Sequence, residues 1–263
     1  MRERNTASVF VGIFLLLILA EITTTMDKVA GLFLYFVALF ISILYVSLVK
    51  RDMYIISLTL PPLLRILDLS MPTFFPYTIY FFPFVYLPVF PSVYMAVKAL
   101  DLKAEDLGFS LKAWYLLLPA GVLIGYLLSY PEYMILHPNA LIPDFSLKSF
   151  VTLFIVMYIF AAFVEELVFR SVLQSTLEKK FGLRRGLLLA SIMFAVMHAG
   201  FGCGEIAYAL FTGLLIGFLF QKTRSLPLVV MIHGTINVMV FGLFHVESMA
   251  NLFSLKDITL PWF

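Results

Sequence analysis

The sequence predicts an all-α fold, a polytopic transmembrane bundle of about eight to nine membrane helices. Hydrophobic residues make up 62% of the 263-residue chain and charged residues 13%, and the mean hydropathy is +1.01. Soluble domains carry about 25% charged residues, so this composition excludes an ordinary soluble protein. No polar stretch is long enough to form a soluble domain. We therefore expect a single integral membrane domain, residues 1–263, in a multi-pass protein of the cell membrane.

Nine apolar segments approach the length of about 20 residues that a helix needs to span a bilayer. The candidate spans are 7–25, 29–49, 53–70, 74–97, 113–130, 150–177, 186–201, 205–221 and 226–245. The third and fourth contain or border several prolines, among them Pro61, Pro62 and Pro83, and proline kinks or breaks a helix. The sequence therefore leaves both eight and nine spans open.

The distribution of positive charge predicts the orientation of the chain. With nine spans and a cytoplasmic N-terminus, 13 of the 18 lysines and arginines fall in inside loops and 3 in outside loops. Cytoplasmic loops carry an excess of these residues, so the count favours a cytoplasmic N-terminus. Arg2 and Arg4 precede an apolar run that lacks a small-x-small cleavage site, and we expect an uncleaved first span.

Two adjacent carboxylates interrupt the sixth span. Glu165 and Glu166 lie in the apolar stretch 153–173, and Arg170 follows them. A charge at bilayer depth costs roughly 2.5–3.5 kcal/mol on insertion scales, and it persists where it pairs, lines a cavity or takes part in chemistry. Glu166 and Arg170 are i,i+4 neighbours that can pair, whereas Glu165 points about 100° away. Glu165 is thus free to act as a general base; the alternative is an ion-pair cluster that locks helices together.

Two later spans each carry a histidine. His198 and Glu165 are equally distant from the turn centred at 181.5, so they should lie at similar depth on adjacent helices. Phe194 shares the face of His198, and ordinary packing is its simpler interpretation. His233 and Asn237, at i,i+4, can position a water or donate to an oxyanion; the alternative is an interhelical hydrogen bond. Straight helices would put His233 about seven residues, or roughly 10 Å, nearer the cytoplasm than His198.

The other polar residues have simpler interpretations. Arg65 and Asp68, at i,i+3, should form a structural pair. Glu21, His137 and His245 lie near predicted interfaces, where we expect water to solvate them. The chain contains no HExxH motif, GxSxG elbow, Walker A loop or nucleic-acid-binding module. A basic patch favours contact with anionic lipids, and it comprises Lys179, Lys180, Arg184 and Arg185.

Three motifs together resemble those of the CPBP family, the membrane proteases related to the Ras-converting CaaX endopeptidase and the bacterial Abi proteins. The family is marked by EExxxR, FxxxH and HxxxN on its membrane helices. Here the three motifs occupy residues 165–170, 194–198 and 233–237. By this resemblance, residues 150–245 would contain the catalytic helices.

The resemblance implies an intramembrane endopeptidase with a role for each motif residue. Glu165 would activate the attacking water with the help of His198, while His233 and Asn237 would stabilise the oxyanion. Three residues would organise the site or orient the C-terminal end of the substrate: Glu166, Arg170 and Phe194. The CaaX branch removes the last three residues after a prenylated cysteine, near the cytoplasmic side. The implied partners are the lipid bilayer and a peptide or prenylated protein, with no nucleic acid.

The family is often labelled a metalloprotease, and Glu165, His198 and His233 could form a zinc set. We favour a site without a metal or other cofactor, because Arg170 opposes a dication and no zinc-ligand spacing is present. The alternative to an enzyme is a non-catalytic transporter or scaffold. Its intramembrane polar residues would then be structural or would relay protons.

Overall fold

The computed structural model describes residues 2–49, 52–73 and 78–245, and within these ranges the chain forms helices and turns without a strand. The all-α prediction is thereby confirmed. The helices are α1 (Arg2–Met26), α2 (Lys28–Leu44), α3 (Met53–Ser57), α4 (Leu60–Ser70), α5 (Phe81–Tyr86), α6 (Val89–Ala99), α7 (Trp114–Leu136), α8 (Leu147–Ile155), α9 (Phe163–Glu166), α10 (Ser175–Phe181), α11 (Leu183–Val196), α12 (Cys203–Thr223) and α13 (Leu226–Phe241).

Eight helical segments of the described chain are long and apolar enough to cross a membrane. Of the nine predicted spans, the one that is too short to cross a membrane is 186–201, which corresponds to α11. The 14 residues of α11 rise only about 21 Å, whereas the hydrocarbon core is roughly 30 Å thick. The proline-rich third and fourth segments reach the required length. The expected count is therefore confirmed, but the short element is not the one that the prolines indicated. The eight segments are Thr6–Met26, Lys28–Val49, Met53–Ser70, Phe81–Ala99, Trp114–Leu136, Leu147–Phe181, Cys203–Thr223 and Leu226–His245.

The sixth segment is a helix of 35 residues in which the hydrogen-bonding pattern changes from α to π at two places. The turns widen to π-helix at Val156–Ala162 and again at Leu167–Gln174. Between them lies α9, the four residues that end with Glu165 and Glu166. Because π-helical turns are rare and often occur at functional sites, their position on either side of the two carboxylates draws attention to this level of the bundle.

Two glycines let α13 approach its neighbours closely. A Cβ atom on Gly125 of α7 would lie 2.5 Å from the carbonyl oxygen of Ile232. A Cβ atom on Gly234 would overlap the ring of Tyr158, in the π-helical turn before α9. Small residues allow such close helix contacts in membranes. They hold α13, which carries His233 and Asn237, against both α7 and the sixth segment.

One end of the bundle collects the loops that carry most of the positive charge. Phe181, at the end of α10, packs against Phe10 of α1 and Tyr54 of α3, with ring centroids 5.2 and 5.7 Å apart. Lys179 pairs with Asp106, in the loop after α6, at 2.7 Å. The start of α1, the start of α3 and the loop after α6 therefore lie beside the turn between α10 and α11.

The turn between α12 and α13 joins the same end. Arg224 pairs with Glu178, and the backbone N–H of Leu226 donates to the carbonyl of Gly108 at 2.7 Å. We call residues 98–112, 175–186 and 220–226 the basic end. Its cations are Lys98, Lys103, Lys112, Lys179, Lys180, Arg184, Arg185, Lys222 and Arg224. Of the other cations in the topology count, Lys50, Arg51 and Lys256 lie outside the described residues.

Two residues expected at solvated interfaces are buried. Glu21 is fully buried and pairs with Arg65, so the predicted pair of Arg65 with Asp68 is part of a larger network. His245 is also buried, and its Nε2 lies 3.2 Å from the carbonyl oxygen of Val240. Both lie near the ends of long apolar runs, where the helices pack against neighbours that composition alone does not reveal.

Candidate active site

The three motifs meet at one cavity of about 150 Å³. Glu165, His198, His233 and Asn237 all line it, so each residue to which the motifs gave a catalytic role reaches the same space. They come from α9, from the end of α11 and from α13. Residues of α4, α5, α7 and α12 complete the wall.

Glu165 and His198 reach the cavity from two antiparallel helices, as counting from the turn predicts. Phe169 and Phe194, which are also equidistant from that turn, pack edge to face with ring centroids 5.2 Å apart. His233 lies 6.0 Å from Phe194, measured between ring centroids. Phe194 also packs against His198, so its ring lies in contact with both histidines.

Glu165 is the carboxylate of the motif that lines the cavity. Its side chain is 16% exposed, and the Tyr86 hydroxyl donates a hydrogen bond to its Oε1. Nε2 of His233 lies 3.9 Å from its Oε2. Among the residues that the structure describes, no lysine or arginine nitrogen lies within ion-pair distance of this carboxylate. Glu165 therefore borders the cavity without a fixed cationic partner, as a general base requires.

Glu166 faces away from the cavity and holds its neighbours in place. Nδ1 of His233 donates to its Oε1 at 2.8 Å, which directs the other ring nitrogen toward Glu165. Nε of Arg170 lies 3.2 Å from its Oε2, so the predicted i,i+4 ion pair forms. Oε2 has no hydrogen-bond partner among the described residues, so this contact is an ion pair without a hydrogen bond. Glu166 thus acts on the site through His233.

Arg170 and Phe194 support the site from behind. The guanidinium carbon of Arg170 lies 4.2 Å above the Phe194 ring centroid, within the range of a cation–π contact. Phe194 also packs against His198, with ring centroids 4.7 Å apart. Arg170 is 2% exposed and does not line the cavity. Of the two roles implied for it, this geometry fits site organisation and not contact with the substrate.

His198 presents one ring nitrogen to the cavity. Its Nδ1 lies 2.8 Å from the carbonyl oxygen of Phe194. A carbonyl can only accept, so Nδ1 carries the proton in that bond, and Nε2 of the neutral ring keeps its lone pair. The backbone of α11 therefore fixes both the orientation and the tautomer of His198.

Five polar residues of the cavity wall are absent from the motifs: Arg65, Asp68, Tyr86, Glu132 and Glu205. The sequence predicted Arg65 and Asp68 only as a structural pair. The predicted fifth span ends before Glu132, but α7 continues through Pro131. Glu205 stands in the first turn of α12, at the edge of its predicted span. A carboxylate at the edge of an apolar run is the signal that could have found both. Tyr86, 79 residues from Glu165, leaves no signal in the sequence.

A smaller cavity of about 20 Å³ adjoins the first. Glu132, His198, Glu205 and His233 line it, and its volume suits about one water molecule. Oε2 of Glu205 is buried with no hydrogen-bond partner in the described part of the chain. Three carboxylates, those of Glu132, Glu165 and Glu205, therefore lie near the histidines without a lysine or arginine partner in the described ranges.

Both histidines of the candidate zinc set have one ring nitrogen engaged by a protein oxygen. Within 2–49, 52–73 and 78–245, no group of three or more His, Cys, Asp or Glu side chains could hold a metal ion. Nδ1 of His233 is engaged by Glu166, and Nδ1 of His198 by a backbone carbonyl. Each histidine of the candidate zinc set therefore has Nε2 as its remaining ring nitrogen, and the absence of a metal stays a prediction.

Comparison with known proteins agrees with the motifs. Residues 147–239 match the family model described as type II CAAX prenyl endopeptidase, Rce1-like, and they make up about a third of the chain. They include every residue to which a catalytic role was assigned. No curated protein and no solved structure matches the chain significantly. Over this region, the multi-pass membrane protein is similar to the Rce1-like type II CAAX prenyl endopeptidases.

Proposed function

We propose that the protein is an intramembrane endopeptidase in which Glu165 activates a water molecule for attack on a peptide carbonyl. The observation that carries the proposal is that an unpaired carboxylate, two histidines and an asparagine border one cavity inside an apolar bundle. Ionisable groups at membrane depth are functional candidates by default. A carboxylate that only locks helices would have a permanent cation beside it, as Glu166 has Arg170, and Glu165 has no lysine or arginine within ion-pair distance among the described residues.

The first step is proton removal from water. Glu165 takes the proton while the water oxygen attacks the carbonyl carbon, and the Tyr86 hydroxyl holds the carboxylate in position. Nε2 of His198 carries a lone pair that can accept from the same water and orient it. When the C–N bond breaks, the proton passes from Glu165 to the leaving amine nitrogen. The base is thereby regenerated, as general acid–base catalysis requires.

His233 and Asn237 are suited to stabilise the oxyanion that forms between these two steps. The bond from Nδ1 of His233 to Glu166 fixes the ring, so that Nε2 is directed toward Glu165 and the cavity. Because Nδ1 already carries a proton, Nε2 donates only when the ring is the imidazolium cation. In that state Nε2 and the side-chain amide of Asn237 are donors for the developing negative charge. Loss of one such donor costs about 2.7–4 kcal/mol in the enzymes where it has been measured.

The family description implies a peptide substrate with a CaaX end whose cysteine carries an isoprenoid. A lipidated end of this kind resides in the bilayer, within reach of a cavity that lies among membrane helices. Cleavage after the modified cysteine would release a tripeptide. We propose this substrate class, and we propose that the reaction needs no metal.

A quenched fluorogenic peptide with a farnesylated CaaX end tests the proposal in detergent solution. The parent protein is compared with Glu165→Gln and with Glu105→Gln, a control whose side chain is exposed in the loop after α6. Each protein is assayed with and without a zinc chelator. We expect the parent and the control to cleave equally under both conditions, and Glu165→Gln to be slower by roughly 10²–10⁴.

Each arm of the assay addresses one part of the proposal. Activity that is lost to the chelator and restored by zinc would contradict the metal-free reaction. Equal cleavage of the same peptide without its farnesyl group would contradict prenyl specificity and leave the peptidase intact. A fully active Glu165→Gln would contradict the role of Glu165. A parent that cleaves neither peptide would favour a transporter or scaffold.

A further inference from the structure

The cavity of about 20 Å³ that adjoins the active site, which we call the small cavity, has in its wall a buried carboxylate that the proposed reaction does not use. Glu205 is 2% exposed, and its Oε2 has no hydrogen-bond partner among the described residues. It lies in the first turn of α12, and its side chain lines both the catalytic cavity and the small cavity. A buried carboxylate oxygen without a partner is costly, so this group calls for an explanation.

The volume of the small cavity decides what fits beside Glu205. Its size of about 20 Å³ exceeds the ~10–15 Å³ that one buried water needs, and a side chain of the substrate does not fit in such a space. The wall also supplies the polar partners that a buried water requires. Glu132, His198 and His233 line it with Glu205. The Thr212 hydroxyl, which also lines it, donates to a backbone carbonyl at 3.0 Å and keeps its lone pairs for accepting.

The small cavity shares its polar wall with the catalytic cavity. Glu132, His198, Glu205 and His233 line both spaces, whereas Glu165 lines only the larger one. A water in the small cavity is therefore next to the reaction but not in contact with the proposed base. Hydrolysis consumes one water for each peptide bond, and a lipid-linked substrate that fills the larger cavity also keeps bulk water out of it. A water held behind the histidines stays within reach of the reaction.

We propose that Glu205 is a positioning residue that holds a water molecule in the small cavity, and that this water replaces the one that Glu165 consumes. The water site rests on the geometry alone, and the supply role rests on the proposed peptidase function. Oε2 of Glu205 accepts a hydrogen bond from the held water. After each hydrolysis, that water passes the shared wall into the catalytic cavity, and only hydrogen bonds are exchanged in this step.

The water site can be tested without catalysis. Crystals of the full-length protein grown in a lipid mesophase are measured to a resolution that shows ordered water. We expect one water in the small cavity, about 2.5–3.0 Å from Oε2 of Glu205. A small cavity without such a water would overturn the proposal. A metal ion at that place, bound by several oxygens at about 2.0–2.6 Å, would overturn it as well.

The supply role is tested by filling the small cavity. Ala209 is buried and lines the small cavity but not the catalytic one, so Ala209→Val occupies the water site without touching the active site. The matched control is Ala207→Val, at an exposed position of the same helix that lines neither cavity. On the farnesylated peptide we expect kcat to fall roughly tenfold in Ala209→Val with KM unchanged, and the control to match the parent. An unchanged kcat in a folded Ala209→Val protein would overturn the supply role.

Two substitutions of Glu205 separate the holding of a water from packing and from charge. Glu205→Leu removes the acceptor, whereas Glu205→Gln keeps an oxygen that can accept from the water. We expect kcat to fall in Glu205→Leu and to be largely retained in Glu205→Gln. Equal values in Glu205→Leu and the parent, or equal losses in both variants, would overturn the role of Glu205. A parent that cleaves no peptide would contradict the peptidase proposal, and the crystal structure would still decide whether Glu205 holds a water.

Discussion

Buried carboxylates occur both in the network that joins α1, α2 and α4 and in the acidic wall of the cavity. Those of the network have an arginine partner, whereas those of the wall have none among the described residues. In the network, both carboxylate oxygens of Glu21 bond to Arg65, which also pairs with Asp68. The Tyr35 hydroxyl donates a further bond to Glu21. Across the same cavity, Glu165 has only a tyrosine and a histidine beside it.

The difference separates structural from functional carboxylates. A buried charge that has a partner holds helices together, and removing the partner is strongly destabilising. A buried carboxylate without a cation gives no such benefit and persists where it serves chemistry. By this criterion we assign Glu21 and Asp68 to the structure, and we assign Glu132, Glu165 and Glu205 to the proposed function of the cavity.

The largest expected effect is a loss of stability in the network, where the carboxylates have an arginine partner. Arg65→Met leaves Glu21 without its cation in the interior, and we expect a loss of about 3–5 kcal/mol in the free energy of unfolding. Denaturant unfolding of the purified protein in detergent measures it. The double variant Glu21→Gln, Arg65→Met is the control and should recover part of the loss. If Arg65→Met unfolded like the parent, the network would not be structural.

A smaller effect, on catalysis, is expected for Tyr86, whose neutral side chain donates to Glu165, the proposed base. Tyr86→Phe removes the hydrogen bond to Glu165, and a bond to a charged group contributes about 1.5–3 kcal/mol. If the bond positions the base, kcat should fall roughly ten- to a hundredfold, with little change in KM. Steady-state kinetics on the farnesylated peptide measures this split. An unchanged kcat with a raised KM would instead assign Tyr86 to substrate binding.

The smallest expected effect is an increase in stability. Glu205→Gln replaces a carboxylate whose Oε2 has no partner in the described chain, so we expect stability to rise by about 0.5–2 kcal/mol. Glu178→Gln is the matched control. Glu178 pairs with Arg224 and accepts from Gln174, so the control should lower stability. Thermal unfolding compares the two, and a loss of stability in Glu205→Gln would break the comparison.

The sequence was sufficient for the motif residues and insufficient for the cavity wall. The sequence could bring Glu165, His198, His233 and Asn237 together because helical i,i+4 spacing and the length of one hairpin depend only on residues that are close in the chain. Tyr86 could not be predicted, since its partner is 79 residues away and no periodicity links them.

Most of the remaining differences between the prediction and the structure lie at the ends of the predicted spans. Glu21 lies near the end of its span and is buried all the same, because α1 packs against helices whose position the composition does not specify. Glu132 falls just beyond a predicted edge, since Pro131 reads as a break and α7 runs through it. The length of α11 depends on where its turns begin, which is the least certain part of a prediction from sequence.

The most direct test of the account compares Glu165→Gln with its neighbour Glu166→Gln, measuring peptide cleavage and thermal unfolding on the same preparations. The account predicts that Glu165→Gln keeps the parent melting temperature and loses cleavage. It predicts that Glu166→Gln melts lower, because Arg170 is left as a buried charge without its carboxylate. A Glu165→Gln protein that melts lower and still cleaves at the parent rate would contradict the account, because it would place the unpaired glutamate among the structural residues.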